Sequence, residues 1–350
     1  MINFEGKKME KERDYYFDNL KAVLIFLVVL GHFLLPIHGK SVLVIIKRLI
    51  YVFHMPLFVF VSGYFSKKIY KDGQYNFKKI LFLIKAYIIF VVAIQAVYAV
   101  CGVQSFSEIN FFSQSGAPWY LFAMIVWYLT IPWIRKCRPV TVIVWTVVLA
   151  LTAGFFRNIG DFLCLSRILV FGPFFYLGYF MDQKTLEKAL SFRCRRVVVP
   201  TAVMICTVIL LFGHKLEDPL SMVYENFSYY ELDHPCFGLL FRLGLVAAAF
   251  IISWGIMFFI PGKQTSLSFV GQNTMPVYML HRILRDVLMF AGIYDYLGEW
   301  GLFSLFVLIC LSICVVYVLV NRKVVEQVNR VLGLHFPKII GKFTGNRAVG

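Results

Sequence analysis

The chain has 350 residues, 60% of them hydrophobic and only 15% charged, and its mean hydropathy is +0.75. A soluble protein of this size could not hide that much apolar surface, which leaves an all-α polytopic membrane protein. The net charge of +16 fits the basic loops that face the cytoplasm in such proteins, so no nucleic-acid partner is expected and the lipid bilayer is the first one.

Ten apolar segments follow one another in the sequence. They are Phe17 to Ile37, Ile50 to Phe65, Ile80 to Cys101, Pro118 to Ile134, Pro139 to Phe156, Cys164 to Met181, Val197 to Gly213, Cys236 to Ile260, Ser268 to Phe290, and Gly301 to Val320. The second can also be read as starting near Ser41, as an amphipathic helix. At roughly 20 residues per span this is about ten transmembrane helices and no sizeable soluble domain. The first run is long enough to stay in the membrane as a signal anchor, and no cleavable signal peptide is evident. The eight cysteines are scattered without metal-site spacing and read as small buried hydrophobes.

Charge sets the orientation. With a cytoplasmic N-terminus, 24 of the 35 Lys and Arg fall on inner segments and five (Lys40, Lys47, Arg48, Arg157 and Lys215) on outer loops. That asymmetry supports a multi-pass plasma-membrane protein with both termini in the cytoplasm. The expected layout is an N-terminal tail over 1–13, a membrane domain over 14–320 and a C-terminal tail over 321–350. The longest outer loop, His214 to Pro235, carries Glu217, Asp218, Glu225, Glu231 and Asp233 beside Tyr229 and Tyr230. It suits either a hydroxylated sugar or plain solvation.

Position along alternating helices converts to depth. Lys21 and Lys85 fall near the cytoplasmic side, where they either serve the interior or snorkel to headgroups. His32, His54, Arg167 and Arg242 fall toward the outer side, and His281, Arg282 and Arg285 lie past the middle of the ninth segment. Lys21 and His32 share one helical face, roughly 16 Å apart along the axis. Ionisable groups inside a membrane are costly and normally face the protein interior or a cavity. The intramembrane carboxylates are Asp18, placed to favour its helix N-terminus or to orient Lys21, and Asp286. A histidine is the natural general base at neutral pH, and lysines suit phosphate as point charges. No nucleophile elbow, Gly-rich phosphate loop or HExxH motif occurs, so no metal is expected. These residues alone leave an enzyme or a transporter open.

Several stretches together resemble the membrane acyltransferase-3 family. The first carries Asp18, Lys21 and, after ten residues, His32, like the family's Asp-x-x-basic and basic-(x)10-His pattern. Phe53 to Phe65 resembles its Phe-rich second helix ending in Ser62-Gly63-Tyr64. PWYLFAMIVWYL, the FGPFFYLGYF run with Gly178-Tyr179, and GQNTMPVYMLH from Gly271 to His281 resemble later segments. The resemblance runs from about Arg13 to Val320. It implies transfer of an acyl group, most often acetyl from acetyl-CoA, to a hydroxyl of a sugar, glycan or cell-envelope polymer. It also implies His32 as catalytic residue, as base or acyl carrier, with Lys21 as its basic partner and Asp18 beside it.

The family's paired-arginine motif before its third helix has no clear match here, and Lys78, Lys79 and Lys85 supply the charge that would meet the donor phosphates instead. Lys21 stands for the commoner arginine, keeping the charge and losing the bidentate fork. His54, Ser62, Arg167, Arg242 and His281 are candidates for the substrate path. The competing reading is a transporter or flippase for a small molecule or lipid-linked sugar. It would use the same buried charges but favour paired repeat halves, which are not visible. The oligomeric state leaves no mark in the sequence.

Overall fold

A computed structural model describes residues 14–39, 41–105, 109–112, 116–157, 162–216, 220–224, 228–297 and 301–333. The expected N-terminal tail, residues 334–350, and Glu217, Asp218 and Glu225 of the long loop lie outside the described residues.

Each predicted apolar segment folds as helix. The chain runs through α1 (Tyr15–Leu34) and α2 (Val42–Tyr64), then a small antiparallel hairpin of β1 (Tyr70–Lys71) and β2 (Gln74–Tyr75). It continues through α3 (Phe77–Val100), α4 (Trp119–Ile134), α5 (Pro139–Thr152), α6 (Leu165–Phe180), the short α7 (Gln183–Ala189) and α8 (Phe192–Phe212). After the long loop come α9 (Gly238–Met257), α10 (Ser266–Gln272), α11 (Thr274–Phe290), α12 (Ile293–Leu297), α13 (Leu302–Leu319) and α14 (Arg322–Leu332).

Six helices are long and apolar enough to cross a membrane: Tyr15–Leu34, Val42–Lys68, Phe77–Val100, Phe192–Phe212, Pro235–Met257 and Leu302–Leu319. The helices of the other four segments are shorter, 14 to 17 residues in α4, α5, α6 and α11. Large apolar side chains stand exposed around the bundle, among them Leu81 and Ile88 on α3, Trp145 on α5, Leu211 on α8 and Phe306 on α13. Apolar surface of this extent marks contact with lipid. The cysteines depart from expectation: Cys164 is buried, whereas Cys310 and Cys314 face outward on α13, where lipid would cover them.

Three boundaries differ from the sequence reading. The second helix starts at Val42, with the Ser41 side chain accepting from the Leu43 amide at 3.2 Å. Lys47 and Arg48, counted above with an outer loop, therefore lie within the first two turns of a membrane helix. The ninth segment breaks at Asn273, whose backbone is non-helical, so α10 and α11 are separate. Residues 322–332 form a helix closed by Gly333 in the left-handed region at φ 74°, in a stretch expected to be tail.

The helix contacts explain several motifs. A Cβ on Gly63 would overlap the Phe175 carbonyl oxygen, and one on Gly178 the Phe60 carbonyl oxygen. Backbone thus meets backbone where α2 crosses α6, which only the smallest residue permits. The start of α1 docks the same way, because a Cβ on Gly271 would overlap the Asp18 carbonyl. Beside it Asn19, fully buried, is satisfied on both ends of its amide. Its Nδ2 donates to the Pro261 and Lys263 carbonyls at 2.8 and 2.9 Å, and its Oδ1 accepts from Thr265 and Ser268, each at 2.7 Å. A buried amide left unpaired would cost far more than these bonds gain, so the network fixes how α1 meets α10.

Candidate active site

The C-terminal end of α1 meets the N-terminal ends of α2, α4 and α6. There the helices part around a cavity of about 490 Å3. From α1 and the turn after it come His32, Leu35, His38 and Gly39. From α2 come Lys47, Arg48, Tyr51, His54 and Met55, which recur at three- and four-residue steps and so share a face. Trp119 of α4, Arg167 and Phe171 of α6, Tyr224 of the long loop and Arg282 of α11 close the rest, with the backbone of Gly116 and Ala117.

His32 is partly accessible to this space, and its Nδ1 makes no hydrogen bond to the protein. The His281 ring stands 4.9 Å from it, centroid to centroid, and the Tyr51 ring 6.3 Å. Tyr51 in turn lies 4.8 Å from the His54 ring. The other two histidines are held differently. His54 Nδ1 lies 2.7 Å from the Ile50 carbonyl oxygen and His281 Nδ1 2.9 Å from that of Val277. A carbonyl only accepts, so both rings donate from Nδ1, which in the neutral imidazole leaves Nε2 as the acceptor. Those Nε2 atoms and the Tyr51 hydroxyl are buried without a protein hydrogen bond. A concentration of orphaned polar atoms beside a cavity is unusual in a native fold and calls for partners from outside the protein, water or ligand.

The cations are placed by named contacts. Lys47 donates to the Leu35 and Ile37 carbonyls at 3.3 and 2.7 Å, tying α2 to the end of α1. Arg167 donates from Nε to the Tyr224 carbonyl at 3.2 Å and faces the Trp119 ring at 5.9 Å. Arg282 pairs through Nε with Asp286 at 2.8 Å and donates to the Tyr98 hydroxyl at 2.9 Å. Arg285 takes the other oxygen of the same carboxylate.

The other end of α1 is built from closed pairs. Lys21 Nζ lies 2.9 Å from Asp18 Oδ1, and Gln272 donates to Asp18 Oδ2 at 3.2 Å. Between Lys21 and His32, on their common face, Ile25 and Val28 are packed at 0% and 2% exposure. Lys21 therefore does not line the cavity. Lys78, Lys79 and Lys85 are exposed on the first turns of α3.

Of the residues singled out in the sequence, His32, His54 and Arg167 line one cavity, with His281 in contact behind His32. Ser62 lies elsewhere, donating to the Phe58 carbonyl at 2.8 Å and sharing a hydrogen bond with the Tyr120 hydroxyl at 2.5 Å. Arg242 is buried with its guanidinium 5.2 Å from the Tyr229 ring, away from the cavity. Arg48, Tyr51 and Tyr224 were not foreseen. For the first two the signal was present: beginning the second helix at Ser41 sets Arg48, Tyr51 and His54 on one face.

A family model described as an acyltransferase domain matches residues 14–321. Nodulation protein NolL of Sinorhizobium fredii (strain NBRC 101917 / NGR234) is 45% identical over 58 residues, a stretch covering 15% of this chain and 16% of that protein. No solved structure matches the chain. With the family match running from the first turn of α1 to the end of α13, through every helix that lines the cavity, the chain belongs to the acyltransferase-3 family.

Proposed function

We propose that the protein is an O-acetyltransferase of the plasma membrane. It moves acetyl from acetyl-CoA to a hydroxyl of a sugar, glycan or cell-envelope polymer, with His32 as general base or transient acyl carrier. The observation that carries this reading is the half-buried His32 facing a cavity lined by Tyr51 and His54, with His281 packed behind it and all three neighbours holding polar atoms without a protein hydrogen bond.

As base, His32 takes the proton of the acceptor hydroxyl while that oxygen bonds the acyl carbon. The carbon–sulfur bond breaks, and the departing thiolate takes up a proton. The Tyr51 hydroxyl is the donor suited to the oxyanion that develops, and Arg282 adds positive potential. His54, with an acceptor nitrogen toward the cavity, suits a hydroxyl proton of the substrate instead.

The same reading gives the chain ten spans, both termini in the cytoplasm, tails over 1–13 and 321–350, and the transfer domain over 14–320. The phosphates of the donor lie on the cytoplasmic side, with Lys78, Lys79 and Lys85. Its pantetheine arm then passes Ile25 and Val28 to reach His32, which requires those side chains to move. The exposed lysines fit phosphate as point charges, and nothing in this reading uses a metal.

The test is mass spectrometry of surface glycans from cells carrying His32→Ala. Acetylation is expected to vanish at normal protein level. Full acetylation under the same conditions would remove His32 from the chemistry.

A further inference from the structure

The cavity is one-sided in charge. Lys47, Arg48, Arg167 and Arg282 line it, and no Asp or Glu does among the described residues. Part of this charge is already answered. Lys47 is spent on two main-chain carbonyls at the end of α1, and Asp286 is shared between Arg282 and Arg285. Two guanidinium charges on one carboxylate leave one in excess. Arg48 makes no hydrogen bond or ion pair among the described residues, although it reaches the cavity from the second turn of α2. Arg48 is half-buried at the open cavity, and an unpaired guanidinium beside a low-dielectric wall attracts an anion more strongly than one in bulk water. A planar fork is also the group best matched to carboxylate or phosphate. The same walls carry Trp119, Tyr51 and Tyr224, whose ring faces suit the C–H surface of a sugar. The volume of about 490 Å3 falls within the range of roughly 300–1,000 Å3 usual for small-molecule sites.

From this we infer that the acceptor is an anionic sugar, carrying a carboxylate or a phosphate that Arg48 holds while a ring hydroxyl faces His32. The inference rests on the acyl-transfer reading for what happens next, but binding of the anion does not.

The experiment therefore measures binding without any acyl donor. Full-length protein in phosphatidylcholine nanodiscs, which supply no anionic lipid, is titrated with a galacturonic acid trisaccharide, galactose 1-phosphate and the matching neutral galactose compounds. At least one acidic sugar is expected to bind about tenfold or more tightly than its neutral counterpart, an advantage that shrinks as salt rises. Whether the carboxylate or the phosphate compound shows it identifies the anion. Arg48→Gln should bring the ratio close to one and Arg48→Lys should keep part of it, with unchanged melting temperatures showing that both variants fold. Equal binding of acidic and neutral sugars, or no binding of either acidic sugar, overturns the inference. Loss of the preference with glycan acetylation intact would leave the acyltransferase reading standing, and a preference without acetylation would do the reverse.

Discussion

At its first turns α1 carries Asp18, Asn19 and Lys21, and each finds its partner within the fold: an ion pair at 2.9 Å and a doubly satisfied amide. Three turns on, the same helix carries His32, and there the neighbours are Tyr51, His54 and His281, with buried polar atoms that the protein does not satisfy. Both ends hold costly groups inside a membrane protein. One end offsets the cost internally and is therefore fixed; the other leaves it open and is therefore fit to take a ligand. Distance from the helix terminus does not separate structural from chemical residues here. The state of their hydrogen bonds does.

The largest effect on stability is expected at the satisfied end. Asn19→Leu strands the Thr265 and Ser268 hydroxyls and two carbonyls, and should cost about 2–4 kcal/mol. Thermal melting of the purified protein in detergent would read it, and a melting temperature like that of the wild type would contradict the assignment. Tyr51→Phe at the open end should do the opposite. It removes a buried hydroxyl with no protein partner, so stability holds, while acyl transfer falls by about tenfold to hundredfold if the hydroxyl meets the oxyanion. A drop in stability with full activity would show that Tyr51 belongs to the fold.

Lys21 sharpens the contrast. Lys21→Ala takes the cation away from the buried Asp18 carboxylate and should cost about 1–3 kcal/mol, reduced by the partial exposure of the lysine. The double variant Asp18→Asn, Lys21→Ala removes the pair together and should recover most of that stability. If Lys21 also serves the donor, activity stays low in the double variant while Lys21→Arg keeps much of it. Full activity in the double variant would make the pair purely structural. The smallest effect is expected for Ser41→Ala, which removes the cap of α2 at the cavity end for about 1 kcal/mol. It should show as faster amide hydrogen exchange confined to the first turns of α2.

Much of this was legible beforehand. Hydropathy located every long membrane-domain helix, because an apolar run in lipid has no option but to satisfy its own backbone. The depth argument grouped His32, His54 and Arg167, which do meet in one cavity. Arg48 and Tyr51 were missed for a single reason: two basic residues in the first turns of α2 lower its hydropathy and look like a loop, and only the tertiary contact of Lys47 with the Leu35 and Ile37 carbonyls makes burial tolerable. Ser62 and Arg242, expected on the substrate path, lie outside this cavity. Polarity inside an apolar segment flags a group that needs a partner, and sequence does not say whether that partner is Tyr120, as for Ser62, or a substrate. The network around Asn19 was invisible because its four partners lie more than 240 positions away along the chain.

The central claim is that acyl chemistry occurs at the open end of α1. The most direct test follows labelled acetyl from acetyl-CoA into glycan in membrane vesicles that hold the native acceptor, for wild type and for His32→Ala at equal protein level and melting temperature. The account predicts a fall of at least about a hundredfold, the scale of losing a general base. Transfer within about twofold of wild type would contradict it.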